Sequence, residues 1–434
     1  IPQQTFFVWS EVESLGDLER LNLVLEYMPD EELMQELEKE RGNGRDDYPV
    51  RAVWNSILAG IVYQHPSIES LRRELLRNGQ LRFMCGFRKG KVPKAYVYTR
   101  FIKKLFKKEE KINEMFNKLV DQLEELLPGF GKNLAIDGKA IASLAKGENK
   151  NKEEDGRRDL DANWGIKEYK GVREDGTAWS KIVKWFGYRL HMIIDADYEL
   201  PVAFEVTKAS TSEVKQAHEM IEKLNERHPE LIEGCETLAA DRGYDETKLY
   251  EKLWDEYKIK PVIDIRNMWK DGEGTRQLGD YENVVYDYRG RVYCVCMETG
   301  TKREMCAGGF EKDRGKHGTL RKLCPARQYG IKCKYMERCK VRGGIRIDIS
   351  EDRRIFTPID RGSYKWERIY RKRSSVERVN SRLDESFGFE KHYIRGIKKM
   401  RVRCGVALCV MLAMAVGRIK EKQAEKMRSL IKSA

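Results

Sequence analysis

The chain has 434 residues, with 83 Lys/Arg against 70 Asp/Glu, a net charge of +13 and a pI near 9.1. That length is enough for two or three domains with a sizeable core. The longest apolar run, residues 404–417, lies between Arg403 and Arg418. It is too short to cross a bilayer and predicts a buried helix, so no membrane partner is expected. The N-terminus, which starts at Ile1 and so suggests a trimmed chain, has no basic-then-apolar leader. A cytoplasmic protein is therefore expected, with no disulfide framework among its ten cysteines.

Residues 1–130 read as helical, with apolar residues at three- and four-residue spacing over 17–39, 50–63, 67–78 and 99–127. Residues 67–106 fit a helix-turn-helix, although most helical hairpins of this kind do not bind DNA. From 131 to 266 the texture becomes strand-like. Strands are predicted at 133–142, 236–241 and 260–266, with a hairpin of 185–196 and 200–208 turning at Asp197. Residues 146–175 read as a basic, glycine-punctuated loop. Helices are predicted over 212–227, with Ser212 as N-cap, and over 246–257. Strands mixed with helices imply an α/β fold, a mixed sheet flanked by helices. Residues 267–352 interrupt this pattern as a β-rich insertion with six cysteines, and 353–434 resume it.

Three acids stand out along this frame. Asp137 lies inside the first predicted strand, in Ala-Ile-Asp-Gly-Lys. Asp241 lies at the carboxyl end of a later strand, in Ala-Ala-Asp-Arg-Gly-Tyr-Asp. Strand ends of this kind bind ligands in open α/β sheets. Glu377 falls in a helix read as continuous from Ile369 to Phe387. At about 100° per residue, Tyr370, Arg373, Glu377 and Asp384 share one stripe beside the apolar face of Val376, Val379 and Leu383. An ordinary surface ion pair between Glu377 and Arg373 is the plain alternative. Residues 353–403 hold 16 Lys/Arg and 6 Asp/Glu, so most of the net charge surrounds this helix and favours a polyanionic partner. Asp195 and Asp197 are weaker acidic candidates, with a turn role preferred for Asp197. His191 reads as a packed histidine and Trp366 as an apolar anchor. In the insertion, Cys324, Cys333 and Cys339, with Cys294 or Cys296, make a candidate zinc set; unliganded thiols are the open alternative.

These motifs resemble those of bacterial insertion-sequence transposases of the DDE type. The resemblance rests on Ile136-Asp137-Gly138, on Ala240-Asp241-Arg242-Gly243-Tyr244-Asp245, and on the signature Tyr-x2-Arg-x3-Glu-x6-Lys. Tyr370, Arg373 and Glu377 match that signature, whereas residue 384 is Asp where the family has Lys. Lys391 and Lys398 are nearby substitutes for that lysine. The resemblance implies a ribonuclease H-like catalytic domain, an N-terminal DNA-binding domain and Mg²⁺ or Mn²⁺ held by Asp137, Asp241 and Glu377. It further implies double-stranded DNA, both element ends and target, as the partner of a homodimer. Tyr370, Arg373, Arg378, Arg382 and Lys391 are then the expected DNA contacts. A nuclease that cuts without joining, and a non-catalytic DNA-binding protein, remain alternatives.

Overall fold

The computed structural model describes residues 16–42, 47–145, 159–173 and 177–428. Its first part is helical: α1 (Glu19–Tyr27), α2 (Glu31–Arg41), α3 (Val50–Val62), α4 (Ile68–Arg77), α5 (Gly79–Met84), α6 (Ala95–Leu105) and α7 (Glu109–Leu126). The helix expected over 17–39 is two helices. Pro29 between them has no N–H to donate and its ring clashes with the preceding turn. Asp30 secures this break, because its buried carboxylate accepts from Trp54 Nε1 at 2.5 Å and from Arg51 on α3. The helix expected over 99–127 is likewise divided, at residues 106–108.

Next comes the main sheet: β1 (Asn133–Ala142), β2 (Asn163–Val172), β3 (Ala178–Asp195), β4 (Leu200–Lys208), β5 (Thr237–Ala240) and β6 (Lys260–Ile263). The order β4-β3-β1-β5-β6 is antiparallel from β4 to β1 and parallel from β1 to β6. This mixed α/β arrangement is consistent with a ribonuclease H-like domain. Part of the predicted 146–175 loop is a strand: β2 runs antiparallel along residues 178–187 of β3. Residues 146–158 and 174–176 lie outside the described residues. The hairpin between β3 and β4 is as expected. Asp195, fully buried, accepts from the amides of Gly131, Asp197 and Tyr198 at 2.5–2.8 Å and so fixes the turn. His191 is also fully buried, with Nε2 2.9 Å from Thr207 Oγ1.

Two helices follow β4, α8 (Glu213–Arg227) and α9 (Pro229–Gly234). Ser212 caps the first, accepting from the Lys215 amide. Helix α10 (Thr247–Glu251) passes into a single π turn, Lys252–Glu256. The insertion forms two small antiparallel sheets around its own core of Val284, Val292, Leu320, Ile347 and Phe356. Its strands are β7 (Arg276–Leu278), β8 (Tyr281–Tyr286), β9 (Val292–Val295), β10 (Lys302–Glu304), β11 (Cys306–Glu311), β12 (Thr319–Leu323) and β13 (Ile345–Asp348). Helix α11 (Pro325–Tyr329) follows β12.

The chain ends in α12 (Tyr364–Arg371), α13 (Ser374–Phe387) and α14 (Ile397–Lys420). Helix α14 contains the apolar run and packs against α1, α3, α7 and β4, so the N-terminal helices and the sheet share one core. Among the described helices it is the one long and apolar enough to cross a membrane, yet 89% of its apolar window is buried inside the fold. Burying each large aliphatic side chain contributes about 1.5–3 kcal/mol, which accounts for a core helix of this composition.

Candidate active site

Strand pairing brings the first two acids together. Ile136 on β1 pairs with Ala240 on β5, in parallel register. Asp137 and Asp241 are the next residues along the chain, Asp137 mid-way along β1 and Asp241 just past the end of β5, so they stand side by side where β5 stops and β1 continues along β3. Asp137 is 8% exposed. Burial raises its pKa, Lys167 on β2 opposes the rise, and the charge of Asp241 adds to it. Asp241 accepts from the Gly243 amide at 2.6 Å, which closes the tight turn after β5. Asp245 ends that turn and is held by Arg354, with Nε 3.0 Å away, and by the Arg266 amide at 2.8 Å. The segment after the insertion is thereby fastened to the acid-bearing strand end.

Glu377 approaches from α13, which packs against β1. Arg373 connects it to the first acid: Nη2 donates to Glu377 Oε1 at 2.8 Å, and Nη1 lies 3.8 Å from Asp137 Oδ2. One guanidinium therefore spans two of the three predicted acids. The helix differs from the sequence expectation in two ways. It is broken between α12 and α13, where Arg373 N→Tyr370 O and Val376 N→Arg373 O bonds tighten the chain to three-residue turns. Glu377 also opens the first turn of α13 with 58% of its side chain exposed, rather than bordering the buried face.

A fourth acid, missed in the sequence, completes the cluster. Glu213, at the start of α8, pairs with Arg189 of β3 at 2.8 Å. Its carboxylate lies against the strand position after Asp137 and the turn after Asp241. A Cβ at Gly138 would stand 2.9 Å from Glu213 Oε1, and a Cβ at Gly243 would stand 3.0 Å from Glu213 Oε2 and 2.7 Å from Asp241 Oδ1. The two glycines therefore leave the space the carboxylates occupy. Burial raises the pKa of Glu213; Arg189 and Lys167 oppose this, while Asp241 and Asp137 reinforce it. Tyr244 lies in the field of Asp137, Glu213 and Asp241, fully buried, its hydroxyl without a hydrogen bond from the described residues. Only a first-turn acid after the Ser212 cap hinted at Glu213, and that pattern ordinarily reads as a helix-dipole partner.

The basic residues of the signature region divide by exposure. Tyr370 stacks on Trp366, with ring centroids 4.9 Å apart, and lies beside Arg373. Lys391 is exposed in the loop before α14. Arg378 is 53% exposed although its Nε donates to Glu199 at 2.6 Å. Arg382 departs from the expected DNA contact. It is 12% exposed and turned inward onto Glu199, and burial lowers its pKa to about 10. Asp384 is likewise engaged, by Lys139 of β1.

Carboxylates this close repel one another when empty, and positive charge relieves the repulsion. Arg373, Arg189 and Lys167 supply that charge here, and oxygen donors from Asp137, Asp241 and Glu377 suit a hard divalent cation. Another acidic group, Asp121, Glu124 and His228, brings its donor atoms within 4.8 Å of one another, but it lies on α7 and the α8–α9 junction and includes none of these acids. An apolar cavity of about 380 Å³ between Ile57, Leu71, Phe389 and Val402 is likewise lined by none of them.

Comparison with known proteins bears on this geometry. The family model described as "Transposase DDE domain" matches residues 152–413, more than half of the chain, and takes in Asp241, Glu377 and the insertion; Asp137 precedes the match. No curated protein matches the chain. Members of this family are DNA-binding transposition and recombination enzymes that use divalent metals. The chain belongs to the DDE transposase family.

Proposed function

We propose that the protein cuts the ends of a mobile DNA element and joins the freed 3′-OH to target DNA, acting as a homodimer. Asp137, Asp241 and Glu377 are its metal-holding acids. The observation that carries this is the Arg373 guanidinium lying between Asp137 and Glu377, where positive charge is already accommodated. Asp137, Asp241 and Glu377 would hold divalent metal, Mg²⁺ or Mn²⁺, whose positive charge would supply stabilisation of the oxygens in phosphoryl transfer. Asp137 and Asp241 offer fixed oxygens, because strand pairing and the Gly243 amide hold them. Glu377, exposed and among the described residues bound through Arg373 alone, is the acid free to swing in. Arg373 would then turn to the DNA phosphate, with Tyr370, Arg378 and Lys391 along the same strand. Lys139 offers its ammonium from β1, beside the position where the family signature has its lysine.

A strand-transfer assay on paired candidate element ends tests this. Cleavage and joining are expected with Mg²⁺, and both should disappear in Asp137→Asn, Asp241→Asn and Glu377→Gln. Cleavage without joining would leave a nuclease. Binding without either would leave a non-catalytic DNA-binding protein.

A further inference from the structure

Five of the six cysteines in the insertion converge on one small cavity, of about 20 Å³. Cys294 lies on β9 and Cys296 just after it. Cys324 sits between β12 and α11, and Cys333 and Cys339 lie in the turns before β13. None is in a disulfide. A cavity of that size holds about one water-sized body. Cys306 is not part of its lining, and His317 is occupied elsewhere, with Nδ1 3.0 Å from Asp255.

The backbone around these thiols is arranged in turns. Thr299 and Gly300 amides donate to the Cys296 carbonyl at 3.2 and 2.7 Å. The Met336 amide donates to that of Cys333, and the Arg342 amide to that of Cys339, each at 3.2 Å. Such turns leave further amides to face the sulfur itself. Cys296 opens such a turn, as Cys333 and Cys339 do, whereas Cys294 is held within β9, paired with Val284 on one side and Arg303 on the other. Cys296 is therefore the better placed of the two to join Cys324, Cys333 and Cys339 around one ion.

We propose that Cys296, Cys324, Cys333 and Cys339 hold a structural zinc ion that ties β9, the end of β12 and the 324–344 segment together. Cys294, held in β9, is left out of the set. The segment needs such a tie. Apart from the five-residue α11 and a single 3₁₀ turn at Met336–Arg338 it has no regular structure, and most of its side chains between 327 and 340 face solvent. Zn–S bonds near 2.3 Å set neighbouring sulfurs about 3.8 Å apart, so binding closes the cavity. Four thiols lose their protons to solvent as the metal binds.

The test is metal analysis of the full-length protein, purified without chelators, for zinc and iron together. About one zinc per chain is expected, the stoichiometry of a single tetrahedral site. Asp137→Asn should leave it in place, which separates this site from the carboxylate site. Cys296→Ser, Cys324→Ser, Cys333→Ser and Cys339→Ser should each lose it, and Cys294→Ser and Cys306→Ser should retain it. Should the variants fail to fold, cobalt titration of stripped wild-type protein should still give the absorption of tetrahedral thiolate cobalt. Zinc-free protein without that absorption, or iron in place of zinc, overturns the site. Zinc retained in Cys296→Ser overturns the choice of fourth ligand.

Discussion

Lys139 on β1 and Asp384 on α13 form an ion pair, with side chains 11% and 17% exposed, two residues along the strand from Asp137. The family signature carries lysine at the position of Asp384. In this chain that position is an acid, and the nearby ammonium comes from the strand. Asp384, which shares the Glu377 stripe, is therefore engaged by Lys139 of the neighbouring strand. Burial raises the Asp384 pKa, and Lys139 opposes the rise.

Asp384→Lys should consequently destabilise the protein. It would set two ammonium groups against each other where removal of one partner from a buried pair costs about 3–5 kcal/mol. The exchanged pair, Lys139→Asp with Asp384→Lys, should recover most of that loss. Urea unfolding of the three variants measures this. An Asp384→Lys protein as stable as wild type would show that the pair contributes nothing.

The carboxylate site should make stability depend on pH and metal. Burial first, then Asp241, raises the Asp137 pKa in the fold. The folded state therefore binds the proton more tightly than the unfolded chain. This stability is fully present below the ordinary aspartate pKa of about 3.9 and is lost as pH rises through the folded value. Without metal at neutral pH, Asp137→Asn should melt higher than wild type, and Mg²⁺ should raise wild type more than the variant. Melting curves with Mg²⁺ and with chelator decide it; an unchanged Mg²⁺ response in Asp137→Asn would remove Asp137 from the metal site.

Local pattern made parts of this site legible. Asp137 and Asp241 are visible because each ends or interrupts an apolar strand run, and Glu377 because a spaced signature surrounds it. The relation of Glu213 to Arg189 is tertiary: a helix start and a mid-strand residue meet only once β3, β4 and α8 are packed. Strand β2 was read as loop because Gly, Lys and Glu dominate it, yet pairing with β3 and the edge contact of Trp164 on Phe186 hold it extended. The break before α13 has no sequence mark, since no Gly or Pro falls at residues 370–376. Three-residue backbone bonds at residues 370–376 make the turn instead.

DNA affinity should fall steeply with salt, since 353–403 holds 16 Lys/Arg against 6 Asp/Glu. Each duplex phosphate neutralised contributes about −0.9 to the log–log slope. Lys391→Ala and Arg378→Ala should each flatten the slope by about one contact, while Arg382→Ala should instead cost stability, because that side chain is buried on Glu199. Binding isotherms over a salt series provide the slopes, and a slope near zero in wild type would exclude DNA as the main partner.

Glu213 should act as a positioning residue for the neighbouring acids. Glu213→Gln keeps the size and removes a carboxylate that is in mutual repulsion with Asp137 and Asp241, while leaving Arg189 buried without its anion. Groups that orient metal ligands typically cost about 10–100-fold in metal affinity or activity when changed. Mn²⁺ affinity should fall within that range, with DNA binding unchanged. The acid limb of the activity profile should move to lower pH, because Asp137 loses a negative neighbour. A purely structural Glu213 would lower stability without moving that limb. Combining Glu213→Gln with Arg189→Met removes the orphaned guanidinium, so stability should return while Mn²⁺ affinity stays low. If both return together, Glu213 serves only to neutralise Arg189, and the acids at the strand ends are positioned without it.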